Sequence, residues 1–334
     1  MNGLVTVIGG ANLDINGFSR KPLIAADSNP GRVEYCAGGV GRNIAENLHR
    51  LGVQVRLISV IGDDPGGELI KGSSARAGLN IEHSLFLKTE GNVTSVYIAL
   101  MDSNGEMNLA LADMDIMELM TKEHLESKAG IIEESEIVLL DANLSEGIIT
   151  YILDRFGRHS DAQNGHHSDA HSGGKGPRFF LDAVSGGKAR RAASRIGSFD
   201  TLKLGRMEAA ALSGISLSGC AIAGDEAARE LGKAADWFCD RGVRRAFITL
   251  GKEGVFTLLP GRRFFTPVRY APPLNTSGGG DAFMAGIVYG TLEGWNEEKM
   301  VSFSMAMARI TVRSKYTVSR EMSLELAFKE MEQS

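Results

Sequence analysis

Cysteine is scarce in this 334-residue chain: Cys36, Cys220 and Cys239 are all it has. The number is odd, the spacing is wide and no C-x-x-C pair occurs, so neither a disulfide framework nor a zinc or redox site of that type is indicated. Reduced thiols, as in the cytoplasm, are the simplest expectation. Long apolar runs are missing too, and a strand-like run, Leu4–Ile8, begins almost at once with no basic leader before it. Neither export nor a membrane anchor is expected. Positive charge is short: 36 Lys and Arg stand against 41 Asp and Glu, a formal charge of -5. With no dense basic tract carrying interleaved aromatics, nucleic acid is not an expected partner. The Walker pattern G-x-x-x-x-G-K-[ST] is absent, so a P-loop NTPase is not supported. Gly38-Gly39-Val40-Gly41-Arg42-Asn43 does not satisfy G-x-G-x-x-G and lacks a preceding core strand and an acidic ribose ligand, which argues against a nicotinamide dehydrogenase.

What remains describes a folded body of enzyme size. Apolar residues make up 43% and charged residues 23%, a globular balance, and this length can bury one large core. A single domain over 1–334 is expected. Short β-rich runs at Leu4–Ile8, Val55–Ile61, Ile137–Leu140, Phe179–Leu181, Thr201–Leu204 and Ala246–Leu250 read as buried parallel strands. Between them, Asn43–Leu51 sets Ile44, Leu48 and Leu51 on one helical face, and Glu226–Arg241 groups Ala227, Leu231, Ala234, Ala235 and Phe238 in the same way. The alternation predicts an α/β protein with three α/β/α layers around a mainly parallel sheet.

Two stretches break the rhythm. Arg32–Ala37, with Thr94–Leu100 and Met107–Leu111 flanking the turn signal Asp102-Ser103-Asn104-Gly105, predicts a small separate β-sheet, a lid drawn from about 14–37 and 92–114. The second stretch, 158–177, holds four of the seven histidines and repeats His-Ser-Asp-Ala at His159 and His167. Imidazoles bind transition metals, but without cysteine or apolar periodicity the segment reads as a flexible surface insertion.

The strongest chemical signal is Asn275-Thr276-Ser277-Gly278-Gly279-Gly280-Asp281-Ala282-Phe283-Met284-Ala285-Gly286, a glycine-rich turn running into a helix. Three successive glycines raise the entropic cost of folding, so bare backbone must be needed there. Amides converging at a helix N-terminus form an anion site suited to a phosphoryl group in transfer. Asp281 beside that anion is poorly explained as a passive cap and well explained as a base taking the proton of an attacking hydroxyl. Read alone, a capped flexible turn stands level with that reading. In Gly38–Asn43 the glycines allow close approach of a ligand, while Asn43 can bond sugar hydroxyls. After the first strand, Gly9-Gly10-Ala11-Asn12-Leu13-Asp14 points Asn12 and Asp14 to one side of an extended chain, a pair suited to a polyhydroxylated ligand. Taken alone, an Asx turn explains it better.

In type, order and spacing these clusters resemble the ribokinase-like (phosphofructokinase-B-type) carbohydrate kinases over almost the whole chain. The two signature regions correspond to Gly38–Gly52 and Asn275–Gly286, and the family's Asn-x-Asp to Asn12–Asp14. The resemblance implies a ribokinase-like fold with a β-sheet lid and an ATP-dependent kinase acting on a small sugar or nucleoside. It puts Asn12, Asp14, Gly39 and Asn43 on the ribose-like part of the substrate, the Gly278, Gly279 and Gly280 amides on the γ-phosphate, and Asp281 as general base. Thr249-Leu250-Gly251-Lys252-Glu253-Gly254 is similar to the family's T-x-G-x-x-G turn, which assigns Thr249, Gly251 and Gly254 to the nucleotide; Lys188, as a neutraliser of γ-phosphate charge, and Lys203 are further cofactor-binding candidates. Glu208 would reach Mg2+ through water. ATP and Mg2+ are the implied cofactors, a monovalent cation such as K+ is a further candidate, and a homodimer paired through the lids is the implied assembly.

A nearer likeness, to the pseudouridine kinase branch of that family, is carried by Ala26–Gly31, Gly39–Ala45, Gly105-Glu106-Met107, Asp113-Met114 and Ala211–Ile215. It implies transfer to a 5'-hydroxyl and brings Thr94, Ser95 and Asp113 near the nucleoside. The chain also departs from the family pattern. Gly205-Arg206-Met207-Glu208 replaces Asn-x-x-Glu, Ala183 follows Asp182 where proline is usual, Asn275 stands where many sugar kinases have Asp, and Gly279 replaces the commoner alanine. The first two open a second reading, a nucleoside-binding protein with impaired catalysis.

Overall fold

The computed structural model describes residues 3–88, 91, 93–105, 107–157, 176–217, 225–268, 274–275 and 277–333, with backbone alone for 225–228. Most of the histidine-rich segment, 158–175, therefore lies outside the described residues, as do Glu106, Cys220 and Thr276. The strands are β1 (Leu4–Ile8), β2 (Asn12–Ser19), β3 (Gly31–Gly38), β4 (Gln54–Ile58), β5 (Val60–Gly62), β6 (Leu85–Leu87), β7 (Val96–Met101), β8 (Met107–Asp113), β9 (Ile137–Asp141), β10 (Arg178–Asp182), β11 (Thr201–Gly205), β12 (Ala246–Thr249), β13 (Gly254–Leu259) and β14 (Arg262–Pro267). The large sheet runs in the order β14-β13-β12-β11-β10-β9-β1-β4. β9 to β12 pair in parallel, while β13 and β14 add an antiparallel edge. Every residue of β9 is buried, as expected of a parallel strand covered on both faces.

The chain divides into two compact units, one made of 1–6, 121–271 and 287–301, the other of 7–120, 272–286 and 302–334. The first unit carries β9 to β14. Its edge hairpin was not expected from the sequence, although the Pro260-Gly261 pair between β13 and β14 is a turn signal; Gly261 has φ 69° there, and Leu259 faces Arg262 across the two-residue turn.

The second unit carries the lid sheet, ordered β3-β2-β7-β8. It includes the hairpin expected around Gly105, which has φ 81°. The single strand expected at Val55–Ile61 is instead two. The Ser59 amide donates to the Ser84 hydroxyl at 3.0 Å, which takes the ladder bond that would continue β4, and β5 pairs in parallel with β6 in a separate two-stranded sheet.

Helix boundaries in this unit follow local chemistry. Asp64 accepts from the Gly67 amide to cap the helix Pro65–Ala77, which has proline in its first turn and a left-handed Gly78 at its end, a common start and stop pattern. The helix Val40–Arg50 buries Ile44, Ala45 and Leu48 and stops at Gly52, whose φ is 81°. Among the described residues, no helix is long and apolar enough to cross a membrane.

Candidate active site

In the second unit, Gly38 and Gly39 join β3 to the helix Val40–Arg50. Gly39 has φ 98°, and a Cβ there would lie 2.4 Å from the Gly10 carbonyl oxygen; one on Gly38 would lie 2.1 Å from Asp14 Oδ2. Both positions are bare because backbone and a carboxylate already fill the space. The Arg42 amide donates to the Gly10 carbonyl at 3.1 Å, fastening the helix start to the loop after β1. Asn12 and Asp14 share one face of β2, where Asn12 Nδ2 donates to Asp14 Oδ1 at 2.5 Å. Burial pushes the Asp14 carboxyl up to about 6, against the Asn12 hydrogen bond and the Arg42 charge, which both lower it.

On the same helix, Asn43 Nδ2 donates to Asp281 Oδ2 at 2.9 Å across 238 positions of sequence. Asn43 is 4% exposed and Asp281 8%. Asp281 stands in the first turn of the helix Gly279–Leu292, where the aligned peptide dipoles place positive potential. Gly278 has φ 82°, and a Cβ on it would lie 1.9 Å from the Thr317 carbonyl oxygen. The glycine turn is thus pressed against the chain at Thr317, with Gly278 accepting from the Ala282 amide at 2.9 Å as the helix begins. A side chain at Gly279 would meet Val312 Cγ1 at 2.9 Å. A buried carboxylate oriented by an amide at a helix N-terminus can take a proton from a hydroxyl, and the positive end of the helix favours an anion nearby.

The lid residues divide. Ser95 is fully buried, and its hydroxyl has no hydrogen-bond partner among the described residues. Thr94 is committed elsewhere: its amide and hydroxyl donate to Asp64 at 2.6 and 2.7 Å, and the hydroxyl accepts from the Gly62 amide. Burial raises the Asp64 pKa, but the bonds from Thr94 and the Gly67 amide outweigh it and hold that carboxyl below its usual range. Asp113 does not join Asp14. It pairs in register with Val96, hence with Leu13, while Asp14 pairs with Tyr97; alternation along a strand sends neighbouring positions to opposite faces, and Asp113 is exposed. The sequence reading missed Tyr97 and Cys36, which flank Asp14 across β2. Burial pushes the Cys36 thiol up to about 12, with the Asp14 charge adding to the rise, so the thiol stays protonated. Cross-strand register was the only signal that could have found them.

In the first unit, Gly205 pairs in register with Thr249, whose hydroxyl donates to the Leu204 carbonyl at 3.3 Å. The departure at Gly205 has a structural counterpart: a Cβ there would lie 2.1 Å from Glu208 Oε2. The glutamate folds into the room a side chain would use, and Oε2 is buried without a hydrogen-bond partner among the described residues. Gly251 has φ 59° and Gly254 φ 140°, and the turn between them joins β12 to β13. Lys203 pairs with the buried Asp182 at 3.0 Å, and Lys188 donates to Asn143 Oδ1 at 2.6 Å. Burial lowers the Lys188 pKa, partly countered by Asp141. Val184, just after Ala183, has φ 64°, an outlier for a β-branched residue. Among the described residues, no group of three or more acidic, His or Cys side chains could hold a metal alone.

Similarity to known proteins is broad. The pfkB family of carbohydrate kinases matches residues 2–322. A pseudouridine kinase from Escherichia coli is 32% identical over 321 residues, covering 96% of this chain and 94% of the relative. The structure of a carbohydrate kinase from Agrobacterium tumefaciens superposes with a TM-score of 0.75 at 26% identity, covering 99% and 97% of the two chains. Arabidopsis thaliana ribokinase, solved with ribose and ATP, shares the fold at a TM-score of 0.78 and 20% identity, with full coverage of both chains.

Proposed function

The chain belongs to the pfkB family of carbohydrate kinases, and from that premise we propose that it transfers the γ-phosphoryl group of ATP to the 5'-hydroxyl of pseudouridine. The observation that carries the reading is the hydrogen bond from Asn43 to Asp281, which joins the two signature regions at one buried carboxylate. In the proposed reaction Asn12, Asp14, Gly39 and Asn43 hold the ribose hydroxyls, and Ser95 offers its unpaired hydroxyl. Thr94 contributes through Asp64 rather than directly. Asp281 takes the 5'-hydroxyl proton as the oxygen attacks the γ-phosphorus, the bond to the β-phosphate oxygen breaks, and the Gly278–Gly280 amides receive the charge of the transferring group. Thr249, Gly251, Gly254, Lys188 and Lys203 are assigned to ATP.

Glu208 fits Mg2+ as a partner through water. Among the described residues no group donates to its Oε2, and Mg2+ commonly keeps several waters while using few carboxylates together with substrate phosphates. The metal would neutralise phosphate charge. A monovalent cation such as K+ remains part of the family expectation.

The base-reading contacts are the least specified, so a kinase for ribose, another sugar or another nucleoside is the rival within the class. A nucleoside-binding protein with impaired catalysis is the rival outside it, favoured by Gly205. The purified chain with ATP, Mg2+ and a panel of pseudouridine, uridine, ribose and fructose separates these. Asp281→Ala should lower kcat by about 10²–10⁴, with thermal unfolding measured beside it to show that the fold is kept. A variant as fast as the parent would remove the assigned base, and pseudouridine inferior to the others would reassign the substrate.

We further infer a homodimer through the lid. Val33, Tyr35, Leu100, Leu109 and Leu111 are exposed, and the register puts them on one sheet face, opposite to Asp14. Such an apolar face calls for cover.

A further inference from the structure

A cleft of about 510 Å³ lies in the second unit, and its lining includes Arg42, Arg50, Ser73, Arg76, Tyr316 and Arg320. None of Asn12, Asp14, Asn43 or Asp281 lines it, although it adjoins their site at Cys36, the cross-strand neighbour of Asp14, and at Thr317, against which Gly278 is pressed. Four guanidinium groups here face one carboxylate, Glu46. Arg42 Nη2 donates to its Oε2 at 2.6 Å, and Arg50 Nε and Nη2 donate to its Oε1 at 3.0 and 2.8 Å. Both oxygens are then engaged, and the lining offers no other acid. Arg76 is exposed, and its side chain has no hydrogen bond or ion pair among the described residues. Arg320 stacks on the Tyr316 ring, 4.1 Å from its centroid. Arg42 is 2% exposed, and its Nε is buried without a hydrogen-bond partner among the described residues. A chain of net charge -5 thus gathers four guanidinium groups around one concave place lined by a single carboxylate, with Arg42 also acting on the Asp14 charge.

We propose that this cleft is a second ligand site, apart from the one built on Asp281, and that it binds a phosphomonoester whose dianionic phosphate meets the arginines. Guanidinium forks match phosphate oxygens two at a time and are less strongly hydrated than ammonium groups. The volume falls within the usual range of small-molecule pockets, which leaves room for a sugar- or nucleoside-sized body beside the phosphate. The site is coupled to the candidate base. Arg42 Nη1 also donates to Asn43 Oδ1 at 3.4 Å, and Asn43 Nδ2 donates to Asp281 at 2.9 Å. An anion that draws the Arg42 guanidinium toward itself loosens the amide that orients Asp281. Occupancy therefore changes turnover without touching the acceptor.

The test is calorimetric titration of the purified chain, with no ATP or acceptor present, using ribose 5-phosphate in one arm and inorganic phosphate in the other. The comparison proteins are Arg76→Ala and the double variant Arg76→Ala/Arg320→Ala. Both side chains are exposed, and thermal unfolding checks that the fold is kept. Saturable binding weakened by about tenfold or more in the double variant is the expected result. Phosphate held only at the Gly278–Gly280 turn would survive that variant. Tighter binding of the ester assigns the organic phosphate as ligand, and equal affinity for both probes assigns the free ion. No saturable binding of either probe at millimolar concentration, or equal affinity in the parent and the double variant, overturns the site. Because binding is read directly, this outcome is independent of whether pseudouridine is phosphorylated.

Discussion

Asp14 offers a sharp test because the fold and the proposed function pull on it in opposite directions. Burial raises its pKa from 3.8 to about 6, so the folded chain disfavours the ionised form. At about 1.4 kcal/mol per pH unit, the charge costs the native state about 3 kcal/mol wherever it is ionised in both folded and unfolded chains. The sign follows from proton counting. Between pH 3.8 and about 6 the folded state holds the proton more tightly, so this group's contribution to stability falls as pH rises through that window and stays low above it. Asp14→Asn keeps an oxygen that can accept from Asn12 and removes the charge. The variant should therefore be more stable than the parent by up to about 3 kcal/mol at pH 8, with the gain shrinking below pH 6 and vanishing near pH 4. Urea unfolding of both proteins across pH 4–8 measures that difference, and other titrating groups cancel in it. The same substitution should raise the KM for the acceptor by about 10- to 150-fold, from loss of charge-assisted bonds worth about 1.5–3 kcal/mol. Equal stability at pH 8, or a gain that persists at pH 4, would refute the argument from burial; an unchanged KM would remove Asp14 from the acceptor site.

Gly278→Ala should destabilise the chain by about 2–5 kcal/mol, combining a left-handed conformation with overpacking against the Thr317 carbonyl, which cannot swing away as a side chain would; a urea midpoint close to that of the parent would contradict the geometry at the glycine turn. Light scattering should report twice the chain mass at working concentration, and Leu109→Glu/Leu111→Glu on the exposed lid face should reduce it to the single mass. A monomer in the parent would end the lid-pairing proposal.

Much of the fold was readable along the chain because its signals are local. β1 has the expected bounds, and β9 to β12 coincide with the apolar runs to within a residue or two, since a parallel strand covered on both faces must be apolar throughout. The glycine turn before Asp281 and the pair Asn12 and Asp14 were also visible, as backbone freedom and strand alternation depend on residues near in sequence. Where the local signal was overridden, a distant partner did it: the Ser84 hydroxyl ends β4 at Ser59.

The chemistry of the site depended on tertiary contacts. Spacing cannot show that Asn43 meets Asp281, that Asp64 occupies Thr94, or that register turns Asp113 to the face opposite Asp14. Nor could it show Glu208 filling the room left at Gly205. The same holds for the four arginines of the cleft: two share the helix Val40–Arg50, and Arg76 and Arg320 join them from other stretches only in the folded chain, around a single lining glutamate. Periodicity and turn chemistry act over a few residues and are therefore written in the sequence. Desolvation, register and charge balance are set by what the folded chain brings together.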